Sequence, residues 1–302
     1  MDWYTPPEDG SPPPEPPISK GRCFWQGLVP PVLHFLLINF VAIFVTTPVT
    51  NALLKELEHT GLDYWGKMAL IVSSPEYWQA IMEATFYSGL IAMALFYFLY
   101  RRRKQPPAPA RARGALSLYP VIAVIGIAGN FFFVSSITAI QDLLGTELPT
   151  SSLEGITEDL ASQIDPIFLT LFSLAIIFIA PIAEELCFRG LAFTRLTRAF
   201  PFWTANVIQA AFFGIIHITP IQIGYSFLFG LLLGWIYHRT GRLGSVVFCH
   251  IVFNFSNILL PLIPHISPLM ESSYKMLLFI GLPAAAVLAF GVRTLGRATQ
   301  EP

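Results

Sequence analysis

Residues 167–190 read IFLTLFSLAIIFIAPIAEELCFRG, an apolar run of membrane-spanning length that is interrupted by two adjacent glutamates, Glu184 and Glu185. About 20 mostly apolar residues suffice for a helix to cross a bilayer. A carboxylate at membrane depth is energetically costly and usually marks a functional site with a nearby partner. The stretch therefore predicts a transmembrane helix that carries a polar site.

The composition extends this prediction to the whole chain. Of the 302 residues, 54% are hydrophobic and 12% are charged, and apolar runs of spanning length recur. Soluble domains carry about 25% charged residues. The predicted fold class is all-α, a polytopic bundle of about eight transmembrane helices. The net charge of −1 offers no basic face for phosphates, which argues against a nucleic-acid partner.

Eight apolar segments are the predicted spans, at residues 24–46, 80–100, 118–140, 166–186, 203–219, 222–238, 245–263 and 274–292. Residues 51–79 are mixed in polarity and include Tyr64, Trp65, Tyr77 and Trp78, aromatic residues suited to a membrane interface. A short helix lying on the membrane surface is predicted in this segment.

Four regions are predicted along the chain. Residues 1–22 form a Pro-rich cytoplasmic tail that is expected to be disordered. Residues 23–165 hold the N-terminal transmembrane helices and an acidic outer loop. Residues 166–263 form a core that carries the polar motifs, and residues 264–302 hold the last transmembrane helix and a C-terminal tail.

The positive charges predict the orientation of the spans. With a cytoplasmic N-terminus and alternating spans, fifteen Lys and Arg residues fall inside and three outside, as the positive-inside rule requires. A multi-pass integral membrane protein with both termini in the cytoplasm is therefore predicted. The inner residues are Lys20, Arg22, Arg101, Arg102, Arg103, Lys104, Arg111, Arg113, Arg189, Arg195, Arg198, Arg239, Arg242, Arg293 and Arg297, and the outer ones are Lys55, Lys67 and Lys275.

The three cysteines, Cys23, Cys187 and Cys249, lie within or beside apolar runs and lack C-x-x-C spacing. Any disulfide scheme leaves one of them unpaired. Reduced and buried thiols are the expected state.

Three short motifs in the second half of the chain carry polar residues at helical spacing. They are EELCFR from Glu184, FGIIH from Phe213 to His217, and HIVFN from His250 to Asn254. Each falls on a predicted span, so each places polar side chains inside the bundle.

Helical geometry gives these residues different surroundings. Glu185 and Arg189 stand four residues apart, so they face each other on a helix and are expected to form an ion pair. Glu184 lies about 100° round the helix and must face another group. His250 and Asn254 are also four residues apart and point from one helix face into the same space.

Residue counting predicts that the motifs meet. The fourth span is expected to continue as a helix past Arg189 to a turn at Pro201. Glu184 lies 17 residues before Pro201 and His217 lies 16 residues after it, so antiparallel helices bring them to one level. His250 lies about two turns inside the cytoplasmic end of the seventh span. Glu184, His217, His250 and Asn254 are therefore predicted to converge in the cytoplasmic half of the bundle.

Such a cluster supports two kinds of chemistry. A carboxylate and an imidazole that share a water can act as general base and then general acid in amide hydrolysis. A second imidazole and an amide N–H can stabilise the oxyanion. Alternatively, Glu184, His217 and His250 supply the His₂Glu ligand set of a catalytic zinc. The H-E-x-x-H arrangement is absent, so the spacing does not require a metal.

Each polar residue taken alone also fits a structural role, in which it bridges helices by hydrogen bonding. His34, near the start of the first span, and His238 and His265, at span ends, are assigned to that class. The Glu185–Arg189 pair fits a structural role even in an active site.

Together, E-E-x-x-x-R, F-x-x-x-H and H-x-x-x-N, in this order on predicted spans, resemble a known family. It is the CPBP family, the CAAX proteases and bacteriocin-processing enzymes, which includes the type II CAAX prenyl endopeptidases and the Abi proteins. The resemblance covers residues 167–261, about a third of the chain. It implies a helical bundle whose active site lies within the membrane, open toward the cytoplasm and laterally to lipid.

The resemblance also implies roles for individual residues. Glu184 matches the glutamate that activates water, and His217 matches the histidine that works with it. His250 and Asn254 match the pair that stabilises the oxyanion. Supporting roles fall to Glu185, Arg189 and Phe213.

The predicted function is that of an intramembrane endopeptidase, a hydrolase whose partners are membrane lipid and a peptide or membrane-protein substrate, with prenylated CAAX-like peptides among the candidates. Family members have been described both as metalloproteases and as metal-free glutamate proteases. A metal-free mechanism without a cofactor is favoured, with zinc as the alternative. A non-enzymatic immunity or scaffold protein and a proton-coupled transporter are the competing functions, although the absence of a visible repeat weakens the transporter.

Overall fold

The computed structural model describes residues 19–102, 115–145, 158–259 and 273–299, and all regular structure in these ranges is helical. The predicted all-α bundle is confirmed. The helices are α1 (Lys20–Glu56), α2 (Tyr64–Val72), α3 (Pro75–Arg101), α4 (Ala115–Leu144), α5 (Glu158–Gln163), α6 (Pro166–Leu196), α7 (Phe202–Ile215), α8 (Pro220–Thr240), α9 (Leu243–Leu259) and α10 (Ser273–Ala298).

Within the described ranges, six helices are long and apolar enough to cross a membrane, namely α1, α3, α4, α6, α8 and α10. The fifth and seventh predicted spans correspond to the shorter apolar helices α7 and α9, of 14 and 17 residues. The chain is a multi-pass integral membrane protein. Its orientation stays a prediction.

The helix that contains the first predicted span, 24–46, is longer than the span at both ends. α1 covers 37 residues and ends at Glu56, with Pro48 inside it. The hydropathy of the sequence shows where an apolar run ends, whereas a helix continues until a capping or helix-breaking residue ends it. The short helix predicted within residues 51–79 is present as α2, and its Tyr64 and Trp65 are exposed.

Several helix starts are explained by a capping residue placed before a proline. Ser74, Asp165 and Thr219 each accept a hydrogen bond from a backbone N–H in the first turn of α3, α6 and α8. Each is followed by proline at the first helical position, where its missing N–H costs nothing. Gly241 ends α8 with φ 66°, the left-handed conformation that favours glycine.

α6 lies at the centre of the bundle, in contact with α1, α3, α7, α8 and α9. It continues as a helix past Arg189, as predicted, although two of its segments, Ala175–Ile179 and Leu186–Phe193, are π-helical. The six residues between them, Ala180–Glu185, are α-helical and carry the paired glutamates. Wide π turns inside α-helices are frequent at functional sites.

The predicted buried thiols are confirmed, because Cys23, Cys187 and Cys249 are all free and buried. Other predictions fall outside the described residues. They concern most of the Pro-rich tail, the basic residues from Arg103 to Arg113, much of the acidic loop, His265 and the end of the seventh span.

Candidate active site

The two glutamates of α6 differ sharply in exposure. The Glu185 side chain is 0% exposed, whereas that of Glu184 is 14% exposed. Because a helix turns by about 100° per residue, adjacent side chains meet different surroundings. Glu185 therefore belongs to the interior of the bundle, whereas Glu184 keeps part of its side-chain surface exposed.

The predicted pair between Glu185 and Arg189 is present. Nη1 of Arg189 lies 2.8 Å from Oε1 of Glu185, and both side chains are fully buried. Nη2 of Arg189 donates to the Gly230 carbonyl of α8 at 3.1 Å, and the guanidinium lies 4.6 Å from the centre of the Phe213 ring. A buried ion pair is stable only when further hydrogen bonds satisfy its members, and α8 supplies one.

A polar network that sequence reasoning missed surrounds this carbonyl. Gln209 of α7 donates to the Gly230 carbonyl at 2.9 Å and to Asn206 at 2.8 Å, and Asn206 donates to the Leu231 carbonyl at 3.0 Å. A Cβ added at Gly234 would collide with the Asn206 amide oxygen, so glycine permits this approach. The only available sequence signal was two amides three residues apart in an apolar helix.

His250 of α9 lies between the two glutamates. Its Nδ1 is 2.9 Å from Oε1 of Glu185, and its Nε2 is 3.8 Å from Oε2 of Glu184. Since a carboxylate accepts, Nδ1 carries the proton in this hydrogen bond. Glu185 therefore holds Arg189 and also fixes the orientation of the His250 ring, a second role that the sequence did not reveal.

His217 lies in the turn after α7, because the helix ends at Ile215, short of the predicted span end at 219. Its Nδ1 is 2.7 Å from the Phe213 carbonyl oxygen. A carbonyl only accepts, so Nδ1 carries the proton and the neutral ring keeps a lone pair on Nε2. This lone pair is what a base or a metal ligand needs.

The backbone directly after His217 is strained. Ile218 has φ 67°, and across it the Thr219 N–H donates to the His217 carbonyl at 2.7 Å. A β-branched residue rarely adopts positive φ, and a three-residue turn of this hand is rare. Such strain persists only where surrounding structure holds it, and it clusters at functional sites.

The Phe213 ring forms the wall between the two histidines. Its centre lies 5.1 Å from the His217 ring and 5.9 Å from the His250 ring. It also packs edge-on to Phe188 at 5.1 Å. The second motif therefore supplies an aromatic spacer, through Phe213, in addition to the imidazole.

Asn254 lies one turn after His250 on α9, as its spacing predicts. Its Nδ2 donates to the Ile176 carbonyl at 2.8 Å, inside the first π segment of α6. A π turn leaves a carbonyl without its usual helical donor, and the side-chain amide satisfies it. A side-chain amide carries two N–H donors, so the second one can serve the site.

The structure brings Glu184, Glu185 and His250 into direct contact range, and the Phe213 ring packs against both His217 and His250. Asn254 reaches α6 eight residues before Glu184. Among the described residues, no three His, Cys, Asp or Glu side chains are grouped closely enough to hold a metal. The arrangement as it stands therefore does not fit a three-ligand zinc site.

Comparisons with known proteins agree with the motifs. Residues 166–256 match the family described as type II CAAX prenyl endopeptidase Rce1-like. Over 103 residues the chain is 30% identical to the protein named "Putative membrane peptidase YdiL" of Bacillus subtilis (strain 168). This match covers 34% of the chain and 42% of YdiL, less than half the length of that relative. No solved structure matches the chain significantly.

The matched segment contains all three motifs and all of the residues that form the polar cluster between α6, α7 and α9. Residues 166–256 of this chain are therefore similar to the type II CAAX prenyl endopeptidase Rce1-like family, the resemblance that the three motifs predicted.

Proposed function

We propose that the chain is an intramembrane endopeptidase in which Glu184 activates a water for attack on a peptide carbonyl. The observation that carries this proposal is the unequal surroundings of the two glutamates. Glu185 is fully buried and bound by Arg189 and His250, whereas Glu184 is partly exposed and is approached by His250 at 3.8 Å. A base must be reachable by water, and of the two glutamates Glu184 meets that requirement.

In the reaction, the water oxygen bonds to the carbonyl carbon while its proton passes to Glu184, and the carbonyl electrons move to the oxygen. His217 assists through the Nε2 lone pair that its hydrogen bond to Phe213 leaves free. Collapse of the tetrahedral intermediate breaks the C–N bond, and the proton returns to the leaving amine. The same carboxyl group thus serves as base and then as acid.

His250 and Asn254 stabilise the oxyanion in this proposal. With Nδ1 donating to Glu185, His250 can donate from Nε2 only as imidazolium. The charges of Glu184, Glu185, Arg189 and an imidazolium at His250 sum to zero, which a poorly solvated site favours. Asn254 adds the amide N–H that the Ile176 carbonyl leaves unused.

The zinc alternative receives partial support from the two histidines. Histidines that bind metals usually donate their other ring N–H to a carbonyl or carboxylate, and both His217 and His250 do so. The described residues nevertheless contain no grouping of three ligands at metal-binding distance. No step of the proposed reaction is therefore routed through a metal.

Apolar surroundings favour an apolar peptide as substrate. The rings of Phe213 and Phe229 stand edge-on to His250, at 5.9 and 5.2 Å, so aromatic side chains flank the polar groups. Substrates of this class are membrane-associated peptides or membrane-protein segments, and we include prenylated C-terminal peptides among them.

The test is turnover by the Glu184→Gln protein in proteoliposomes. The panel contains farnesylated Cys-a-a-X peptides, their unprenylated forms and internally quenched apolar peptides. We expect kcat to fall by about 10³-fold or more on every peptide that the wild type cleaves. Glu83→Gln is the matched control, because Glu83 lies in the apolar helix α3 and is also partly buried.

Turnover at the wild-type rate by Glu184→Gln would refute the mechanism in which Glu184 activates water. Metal content and activity are measured before and after chelation on the same preparations. Stoichiometric zinc with chelator-sensitive cleavage would replace the metal-free mechanism by the His₂Glu alternative.

A further inference from the structure

Gln209 of α7 carries a fully buried amide that none of the three motifs includes. It stands four residues before Phe213, so the two side chains lie on one face of the helix. The chain reaches His217 one turn after Phe213, in the turn that ends α7. A polar side chain inside a membrane bundle is costly, and its presence points to a role in the site or in the hydrogen bonds that support it.

The Gly230 carbonyl of α8 joins Gln209 to the buried ion pair. Nε2 of Gln209 donates to this oxygen at 2.9 Å, and Nη2 of Arg189 donates to the same oxygen at 3.1 Å. Arg189 uses its other arm, Nη1, for Glu185 at 2.8 Å, so the planar guanidinium is held at two points. The position of Arg189 therefore depends on the carbonyl that Gln209 also binds.

The contacts continue from the ion pair to the carboxylate that is proposed to activate water. Oε1 of Glu185, which accepts from Arg189, also accepts from Nδ1 of His250 at 2.9 Å. Nε2 of His250 in turn lies 3.8 Å from Oε2 of Glu184. A continuous series of polar contacts thus runs from Gln209 on α7 through α8, α6 and α9 to Glu184.

Two glycines of α8 allow α7 to approach closely enough for these hydrogen bonds. A Cβ added at Gly230 would lie 3.1 Å from Ala210, and one added at Gly234 would collide with Oδ1 of Asn206 and lie 2.8 Å from Nε2 of Gln209. Glycines four residues apart let helix backbones pack closely in membranes. The second N–H of Gln209 donates to Oδ1 of Asn206 at 2.8 Å. Both N–H groups of the Gln209 amide are therefore used, and its orientation is fixed.

We infer that Gln209 is a positioning residue of the proposed peptidase. Its amide holds the Gly230 carbonyl in place for Arg189, and the ion pair then holds the His250 ring so that Nε2 points toward Glu184. This inference rests on the proposed peptidase function and goes beyond the three motifs. Catalytic groups must be held within about 0.5 Å of their productive geometry by the hydrogen bonds behind them. Because Gln209 does not contact the substrate, its loss is expected in kcat and not in KM.

The first experiment measures kcat, KM and melting temperature for Gln209→Met, using the panel peptide that the wild type cleaves fastest. Methionine is similar in size but has no N–H for the Gly230 carbonyl. We expect kcat to fall by about 10- to 100-fold, the scale of loss when a reacting group is displaced by about 1 Å. We expect KM to stay within about twofold of the wild-type value, and a rise in KM at unchanged kcat would overturn the inference.

Ile208→Ala is the matched control for stability. Ile208 precedes Gln209 on α7, and its apolar side chain packs against the core and forms no hydrogen bond. This variant should lower the melting temperature and leave kcat unchanged. If Ile208→Ala and Gln209→Met lowered kcat alike, the loss would follow stability, and the positioning role would be refuted.

A double-mutant cycle on kcat tests whether Gln209 acts through Arg189. Arg189→Lys keeps the charge but loses the fork that reaches Glu185 and Gly230 together. In that background, Gln209→Met should lower kcat by less than about twofold, because the coupling is already broken. Equal losses in the wild-type and Arg189→Lys backgrounds would overturn the inference, since the two residues would then act independently.

Gly234→Ala disturbs the same hydrogen bonds from α8, and it carries the test if Gln209→Met does not fold. The added methyl group collides with Asn206 and crowds Gln209, so kcat should fall, whereas Gly224→Ala meets nothing within 4 Å and should keep the wild-type kcat. Wild-type kcat in Gln209→Met or in Gly234→Ala, with Glu184→Gln inactive, would overturn the positioning role alone. Absence of cleavage by the wild type would overturn the peptidase proposal and this inference together.

Discussion

Replacing Arg189 by methionine tests whether the buried ion pair organises the site. Arg189 is fully buried, donates to Glu185 at 2.8 Å and to the Gly230 carbonyl at 3.1 Å. Methionine fills much of the volume but leaves the Glu185 carboxylate without its cation. Breaking one partner of a buried pair costs about 3–5 kcal/mol, because an uncompensated charge remains.

This loss is large beside the free energy of unfolding of a typical protein, about 5–15 kcal/mol. For a chain of this size it corresponds to a fall in melting temperature of roughly 5–8 °C. The three buried free thiols supply the assay, since a thiol-reactive fluorophore labels Cys23, Cys187 and Cys249 only as the protein unfolds. Purified protein is heated in detergent with this dye.

A double-mutant cycle tests whether the unpaired Glu185 carboxylate causes the loss of stability in Arg189→Met. Glu185→Gln with Arg189→Met removes both charges, so it should be less destabilised than the sum of the single variants, by about 1–3 kcal/mol. Arg189→Lys keeps the charge but loses the fork that reaches both Glu185 and Gly230, and it should lie between wild type and Arg189→Met. An unchanged melting temperature in Arg189→Met, or simple additivity in the cycle, would refute the reasoning.

Two further predictions concern the backbone around the site. Gly234→Ala places a methyl group against Asn206 and 2.8 Å from Gln209, so it should lower the stability of the fold by about 1–3 kcal/mol. Gly224→Ala on the same helix places a methyl group where nothing lies within 4 Å, so its effect on stability should be neutral or favourable. Ile218→Gly removes the side chain that makes the positive φ of 67° unfavourable, so it should raise the melting temperature slightly. Ile216 has a helical φ of −66°, where glycine only adds conformational freedom to the unfolded chain, so Ile216→Gly should lower the melting temperature. The thiol assay measures all four variants, and equal shifts within either pair would contradict the prediction.

The spacing of residues along a single helix predicted several features of the site. The i, i+4 relation of Glu185 and Arg189 is a property of one helix, and the pair forms as expected. The separation of Glu184 from Glu185 has the same origin, since adjacent residues on a helix face different neighbours. Residue counting about Pro201 predicts that His217 lies at the level of Glu184, because two antiparallel helices around a turn have a fixed register.

Contacts between distant helices were harder to predict. The hydrogen bond from His250 to Glu185 joins residues 65 positions apart, and hydropathy does not reveal which helices are neighbours. The bridging role predicted for His34 is wrong, because neither of its ring nitrogens has a hydrogen-bond partner among the described residues. Nothing in the sequence places α1 beside α6, where the His34 ring packs against Phe188. The end of α1 at Glu56 is likewise not given by hydropathy, because it lies beyond the apolar run that defines the span.

The two π segments of α6 have a consequence for how sequence variation in this helix is interpreted. Each wide turn accommodates about one residue more than an α-helical turn, which changes the angular phase of the next helical segment by about 100°. Residues 166–174 and the glutamate-bearing segment 180–185 are therefore not on a common helical wheel. A single-residue deletion within 175–179 can therefore be absorbed by conversion of the wide turn to an α-helical turn, which keeps Leu174 and Glu184 in the same relative orientation. The same deletion inside the α-helical segment 180–185 has no extra residue to remove, and it would turn the residues on either side relative to each other by about 100°. A deletion in an α-helical segment of α6 thus acts as a rotation, whereas a deletion in one of its π segments removes only the wide turn.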